Sequence, residues 1–599
     1  MGRSDVKQWF ARVRTRGAAS WLAVVSACAA TALIAACATT DNASHAAKTP
    51  LAVVPPVVDC SKLAAVDLTD IGGAGSSIAS ANVVASKMHN GATVNYCVVK
   101  GTLAPGNRFE IALPVSSWTQ RFAELGCGGL CGNINDPTSQ DSFSFSYTCP
   151  LVQEGGFVTA ATDMGHTGDR AKDGGDWTTD AQRRADFAYR GQHVTTLAAK
   201  KLIKAYYGQA QKYAYFVGCS DGGREGLMAA QRYPTDYNGI VVGAPAAHFN
   251  IQNSLFHGWS VMSQSSTGDL SGVATLYADK VKVLHKAVVA ACGGQSGVAD
   301  GLVVDPRTCH FDPASIACPK GAANTSQCLT PAEVATARKL YGGPKDAATG
   351  EAMLAGSPQY GSEINWIGVE VPNSNSTAAP VPVASPGVFS FLIVSGAYKL
   401  IFPDSEAAVR DLGRFGYTDA SFYAKSLSAT HPLFDATSPD LSAFNKAGGK
   451  LILWHGWADQ HISPKFTIQY YEALQSTMGA SAVNDFARLY LVPGVDHCGT
   501  PASEGFNQID LISQITAWVE QGTAPNAVMT YTDPTNSALK ASRPVYPYPA
   551  VPQYTGTGDW HDGANWKQGA ALYTEPTQQW AGASFYQPYA PIMEGVAAP

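Results

Sequence analysis

Tyr215-Phe216-Val217-Gly218-Cys219-Ser220-Asp221-Gly222-Gly223-Arg224-Glu225-Gly226 is the stretch on which the fold turns. An apolar, β-favouring run enters it and a helix-compatible run, Leu227 to Tyr233, leaves it, so Ser220 is expected where a strand turns sharply into a helix. That is the context of a nucleophile elbow. In the frame Gly218-x-Ser220-x-Gly222, residues without a Cβ flank the serine, which permits a strained turn and leaves the hydroxyl exposed. A plain glycine turn would have the same spelling, and it is the flanking strand and helix that separate the two readings.

Outward from this stretch the same rhythm continues. Gly156 to Asp163 and Gly239 to Pro245 read as strands, and His193 to Tyr207 carries a helical stripe at Val194, Leu197, Ala198, Leu202 and Ala205. Strand, helix and strand in alternation point to a parallel α/β sheet. Before it, Val94 to Val99 and Arg108 to Pro114 alternate as antiparallel strands do. The rhythm is lost from about Ala246 to Ser442, a segment rich in glycine, proline and aromatics (Trp259, Trp366, Phe389, Phe391, Tyr398, Phe402), which reads as an insertion capping the site. It resumes at Lys450 to Gly456, a strand followed by a helix opened by Ser463-Pro464, then at Arg488 to Val492, and ends in a helix with apolar positions Leu511, Ile512, Ile515, Trp518 and Val519.

A serine hydroxyl needs a base to take its proton and a third group to hold that base in the right tautomer. Where a nucleophile elbow heads the sheet, the acid and the histidine follow it in that order, each just after a late strand. Asp459 and His497 occupy those places. Residue type, order and strand-end position all agree. Asp496, beside His497, reads as a loop residue because neighbouring side chains diverge. His455 is assigned a substrate contact, as His461 could be, with a hydrogen-bonded structural histidine the alternative for both and for His166. The amide of Asp221 and one from the Cys127-Gly128 loop, taken as that of Gly128, are the expected oxyanion donors.

Contact between Ser220 and His497 would bring Cys219 and Cys498 together, so a bridge between those two is geometrically natural. Closing a loop of that length stabilises a fold by about 5 kcal/mol in the chain-entropy picture. Short spacings pair Cys292 with Cys309 and Cys318 with Cys328. Setting aside Cys28 and Cys37 in the leader, the 13 cysteines leave an odd number, so at least one is unpaired or pairs outside the chain. The partners of Cys127, Cys131 and Cys149 stay open.

The 599 residues exceed what one hydrophobic core usually supports, and a formal charge of −6 offers no basic field for nucleic acid or an anionic membrane. Lys7, Arg12, Arg14 and Arg16 precede the apolar run Ala18 to Ala36, the pattern of an export signal, and no other segment has the length to span a bilayer. Leu33-Ile34-Ala35-Ala36-Cys37 resembles a lipobox, which would make Cys37 a lipidated first residue; simple cleavage near Ala36 to Ala38 is the alternative. The expected divisions are a signal peptide over 1–37, a linker over 38–58, a core over 59–245 and 443–599, and a lid over 246–442.

At Gly218 to Gly226, Gly239 to Pro245, His455-Gly456-x-x-Asp459 and Gly494-x-x-His497-Cys498 the chain resembles the tannase and feruloyl esterase family, α/β-hydrolases that also include mono(2-hydroxyethyl) terephthalate hydrolase. The resemblance runs from about Asp59 to Tyr554. It implies an α/β-hydrolase fold with a large lid between sheet strands, and hydrolysis of aromatic acid esters by Ser220, Asp459 and His497 beside a Cys219–Cys498 bridge. It also pairs Cys60 with Cys97. Two departures stand out. Members commonly bind calcium in the lid, but in Cys292 to Leu302 only Asp300 offers a carboxylate, with Gly293 and Ser296 where aspartates are expected, so no metal or other cofactor is assigned. In Arg543 to Pro549 a tyrosine stands where many relatives have cysteine, and no later cysteine exists.

The expectation is therefore an exported serine esterase, secreted, periplasmic or lipid-anchored, acting on a small-molecule aromatic ester, with no nucleic-acid partner. An α/β-hydrolase peptidase and a non-catalytic, aromatic-ligand-binding lipoprotein are the competing readings.

Overall fold

A computed structural model describes residues 51–146, 149–169, 175–402, 416–421, 423, 427–532 and 540–591. The expected signal peptide, with Cys28 and Cys37, and the first part of the linker lie outside them. No described helix is long and apolar enough to cross a membrane.

Nine strands form the central sheet: β1 (Ser77–Lys87), β2 (Thr93–Leu103), β3 (Asn107–Pro114), β4 (Arg121–Leu125), β5 (Phe157–Thr162), β6 (Tyr213–Cys219), β7 (Gly239–Gly243), β8 (Lys450–Gly456) and β9 (Ala487–Val492). Their order is β1-β2-β3-β5-β4-β6-β7-β8-β9. The first three strands and the β3–β5 pairing are antiparallel, and β5-β4-β6-β7-β8-β9 are parallel. The parallel strands are near-continuous apolar runs because helices cover both faces; all of β4, β5 and β7 is buried. This is an α/β-hydrolase fold. Gly191–Tyr207 and Asp221–Arg232 pack on the sheet, as does Leu511–Gln521, which caps itself through Asp510 and stops at Gly522 with φ 79°.

Residues 244–449 separate β7 from β8, although those two strands are neighbours in exact register, Gly239 opposite Lys450. Among the described residues of this segment the longer helices are Ala278–Cys292, Pro331–Gly342 and Phe389–Ile401, besides a helical run over 249–264. The first two and Trp366 enclose a small apolar core of their own (Leu276, Leu284, Leu329, Leu340). Residues 51–58, expected as linker, are fastened to the core: the N–H of Val54 donates to Trp118 O at 3.0 Å and that of Val57 to Tyr206 O at 2.8 Å.

Candidate active site

β6 ends at Cys219, and Ser220 follows with φ 62° and ψ −122°, a conformation costly for any residue with a Cβ. The surroundings enforce it. The Ser220 N–H donates to Gly243 O at the end of β7 at 3.0 Å, and its carbonyl accepts from Arg224 N (3.1 Å) and Ala246 N (2.9 Å). The flanking glycines are required by close approach: a Cβ on Gly218 would lie 2.4 Å from Gly222 O, and one on Gly222 would lie 2.8 Å from Cys127 O. The strained turn is the elbow that the spelling around Ser220 predicts.

Asp459 lies just beyond β8 and has no exposed surface. Its Oδ1 accepts the backbone N–H groups of His461 and Ile462, each at 2.8 Å, so the carboxylate is fixed before either histidine reaches it. Oδ2 lies 2.7 Å from His497 Nδ1. Burial would push this carboxyl up, but His497, and then His455, more than offset it and hold it below the usual carboxylate range. His497 stands in the loop after β9, its N–H donating to Gln460 Oε1 at 3.2 Å. With Nδ1 donating to Asp459, Nε2 is left as the basic nitrogen. Asp496 is turned away, its carboxylate accepting from Thr500 N (2.7 Å) and Ser503 Oγ (2.5 Å).

His455 is not placed to touch a substrate. It has no exposed surface and is absent from the cavity wall. Its Nε2 lies 3.0 Å from both Asp459 Oδ2 and Ile462 O, two acceptors, and its Nδ1 lies 2.8 Å from Thr467 Oγ1. The ring therefore carries its proton on Nε2 and braces the carboxylate from behind. The i,i+4 spacing to Asp459 held that signal, because a histidine on the last turn of a buried strand faces whatever the following loop folds back upon it. His166 is also buried, stacked on Trp177 at 3.8 Å.

Ser220 and His497 line one cavity of about 490 Å³, within the range of small-molecule sites. Of the six aromatics named for the insertion, only Phe389 lines it, together with Ile393 from the same helix. Trp366, Tyr398 and Phe402 are spent on apolar packing. The insertion's other wall residues are Ala246, then Gln252 and Asn253 of a π-helical turn, Gln252–Phe256, and His257, which opens the α-helical stretch His257–Gln264 directly after that turn. Such a turn has no sequence signature, so the side chains it directs at the cavity are not legible in the sequence. His461 also lines the cavity, its ring centroid 4.7 Å from that of His497. Burial first, then the neighbouring His497, pushes His461 well down and His257 to about 3, so both stand as neutral polar walls.

Gly128 and Asp221 line the same cavity. Asp221 opens the helix after Ser220, so its N–H has no intrahelical acceptor, and the Gly128 N–H has no acceptor among the described residues. Beside them Cys127, Cys131, Asp221 and Glu225 cluster, four buried groups with metal-ligating atoms. Their state does not suit a metal: Cys127 and Cys131 are joined, Cα atoms 5.4 Å apart, and both oxygens of Asp221 are taken by Arg224 (2.6 and 3.0 Å). The calcium loop of the resemblance fares no better. Asp300 Oδ2 is held by Arg543 Nη2 at 2.5 Å, and that buried guanidinium lies 4.0 Å from the Trp566 ring, so the loop's one carboxylate already has its cation.

Four further bridges join Cys60 to Cys97, Cys219 to Cys498, Cys292 to Cys309 and Cys318 to Cys328. Among the described residues Cys149 is the free thiol, buried and 3.4 Å from Ser513 Oγ. Cys219–Cys498, with Cα atoms 5.9 Å apart, ties the elbow to the loop of His497 across 279 residues. Reduction verified at this bridge is expected to lower kcat by about 10²-fold, the scale of an ångström-sized misplacement, while far-UV circular dichroism stays native. Alkylation mapping with parallel rate measurements checks this; unchanged turnover with the bridge open would refute it.

Known proteins agree with this architecture. The family model for tannase and feruloyl esterase matches residues 91–568. The mono(2-hydroxyethyl) terephthalate hydrolase of Piscinibacter sakaiensis is 31% identical over 521 residues, covering 78% of this chain and 84% of that one. A probable feruloyl esterase of Arthroderma benhamiae is 31% identical over 479 residues with the same coverage. Among solved structures, an esterase from Aspergillus oryzae superposes with a TM-score of 0.67 at 25% identity, covering 85% of this chain and all of that one. Feruloyl esterase B from the same organism superposes at 0.68 and 23% identity, again over 85% of this chain and all of that one, which supports the fold. Strand order, elbow, strand-end acid and histidine, and sequence likeness across most of the length converge, and the chain belongs to the tannase and feruloyl esterase family of carboxylic ester hydrolases.

Proposed function

We propose that this protein is an exported serine esterase that hydrolyses esters of aromatic carboxylic acids through Ser220, His497 and Asp459. The observation that carries the reading is the 2.7 Å contact of His497 Nδ1 with a fixed, buried carboxylate, in a loop bridged to the residue beside Ser220. Ser220 Oγ attacks the ester carbonyl as His497 Nε2 takes its proton. The tetrahedral oxyanion is met by the amides of Gly128 and Asp221. On collapse, His497 returns the proton to the departing alcohol and the acyl group stays on Ser220. A water molecule, deprotonated by the same nitrogen, attacks that ester, and the acid leaves with Ser220 restored. Asp459 holds His497 in the required tautomer throughout, and His455 holds Asp459.

The acyl group is read from the walls and the relatives together. Phe389 and Ile393 offer apolar surface, and His257 and His461 offer uncharged hydrogen-bonding edges, a lining that suits an aromatic ring bearing polar groups. The relatives' names, feruloyl esterase and mono(2-hydroxyethyl) terephthalate hydrolase, share an aromatic acyl group. Export is supported by the bridges and by the basic, then apolar, N-terminus. Lipidation at Cys37 would add a membrane anchor.

A mass-spectrometric panel of methyl ferulate, methyl gallate and mono(2-hydroxyethyl) terephthalate, run beside a peptide library, tests the reading. Release of an aromatic acid with intact peptides is expected. Peptide cleavage, or no turnover of any ester by folded protein, would overturn it.

A further inference from the structure

The loop after β4 leans on the elbow helix through an unusual set of contacts. Gly126 approaches so closely that a Cβ there would lie 2.5 Å from Gly222 Cα. The Gly126 N–H donates to Val217 O at 3.0 Å. Glu225, one turn into the helix and 1% exposed, reaches back to accept the Cys127 N–H at 3.0 Å. The carbonyl of Cys127 accepts from Gly222 N at 2.8 Å. The Cys127–Cys131 bridge then closes the loop around Gly128.

These contacts fix two successive peptide planes. The plane before Cys127 is held by its N–H on Glu225, and the plane after it by its C=O on Gly222. In a trans peptide the N–H lies opposite the C=O. The second plane contains the Gly128 N–H, so with the Cys127 carbonyl directed at the helix, that N–H points away from the helix and towards the cavity that Gly128 and Ser220 share. Losing Glu225 would free the first plane, and rotation about Cys127 would then let the second swing.

We propose that Glu225 is a positioning residue for ester hydrolysis: by holding the Cys127 amide it aims the Gly128 N–H at the oxyanion. This rests on the reading of the site as a serine esterase with Gly128 as an oxyanion donor. Nothing in the reaction uses the carboxyl of Glu225 itself. Burial, followed by the charge of Asp221, pushes that carboxyl above the usual range, so glutamine, neutral and with the same acceptor oxygen, is a fair replacement.

The experiment compares Glu225→Ala, Glu225→Met and Glu225→Gln in the full chain, with kcat and KM on one aryl ester. Inhibition constants are measured for an aryl trifluoromethyl ketone, which forms a tetrahedral oxyanion on serine, and for the product acid, which does not. Glu225→Ala is expected to lose about 10²-fold in kcat, the scale of one oxyanion donor, with KM within about threefold. The ketone should weaken in step while the product acid is unaffected. Glu225→Gln should restore kcat to within about tenfold of the wild type. Glu225→Met, which fills the volume without an acceptor, gives the same comparison if the alanine variant does not fold. Folded variants lacking the acceptor that keep wild-type kcat and ketone affinity would overturn the proposal, as would equal weakening of ketone and product acid. Wild-type protein that neither hydrolyses the ester nor binds the ketone would instead overturn the esterase reading on which it rests.

Discussion

Ser220→Ala is expected to lower kcat on aryl esters by about 10⁶-fold, the scale seen when the nucleophile of a serine hydrolase is removed. On the proposed mechanism the size of the effect follows from the covalent route: without Oγ no acyl-enzyme would form, and what would remain is binding and the proposed oxyanion amides. The substitution is clean. Alanine keeps the Cβ, so the φ of 62° at this turn costs no more than before, and the backbone bonds to Gly243, Arg224 and Ala246 are unaffected. The thermal midpoint should therefore stay within a few degrees of the wild type. Progress curves at high enzyme concentration with calorimetry check both halves, and a loss of tenfold or less would mean that another group attacks the ester.

Asp459→Asn is expected to cost about 10⁴-fold in kcat, and here a loss of stability should accompany it. The carboxylate accepts four N–H groups: two backbone donors on Oδ1 and the rings of His455 and His497 on Oδ2. An amide has one oxygen and one NH₂, so whichever way it is turned, a donor meets donors. If the NH₂ faces the backbone, two buried N–H groups lose their acceptor; if it faces the histidines, His497 is driven to the tautomer that cannot act as base. An unsatisfied buried group costs about 1–3 kcal/mol, so a lowered denaturation midpoint should appear beside the rate loss. Full stability with native kcat would mean that Asp459 holds nothing the reaction needs.

Much of this was written in the chain, and the reasons are local. Parallel strands buried on both faces read as short apolar runs, which is why the strands ending at Cys219, Gly243, Gly456 and Val492 stand out in the sequence. A strained turn between strand and helix needs small neighbours, so the glycines around Ser220 mark it. The pairing of Asp459 with His497, 2.7 Å apart, could be expected from their order and strand-end positions alone. β1 was not read as a strand, because six of its eleven residues are alanine or serine, and its exposed face lacks the β-branched alternation of β2. His455 was misassigned because a histidine beside a strand-end acid can face either the cavity or the core, and only the return of the chain through Ile462 and Thr467 decides which. The cavity wall from the insertion was hidden for a related reason. Most of its aromatics pack the insertion against itself and the sheet, while the polar part of the wall comes from a π-helical turn and the residue after it, which composition does not reveal. Cys127 and Cys131 had no decided partner because three cysteines in one region allow several pairings, and only the fold leaves Cys149 beside Ser513 instead.

The central claim, that one serine at the elbow is activated by one histidine far along the chain, is tested most directly by mapping a fluorophosphonate adduct by peptide mass spectrometry. The account predicts a single adduct on the peptide containing Ser220, with labelling slowed by at least about 10³-fold in His497→Ala. An adduct on another residue, or labelling of Ser220 at an undiminished rate without His497, would contradict it.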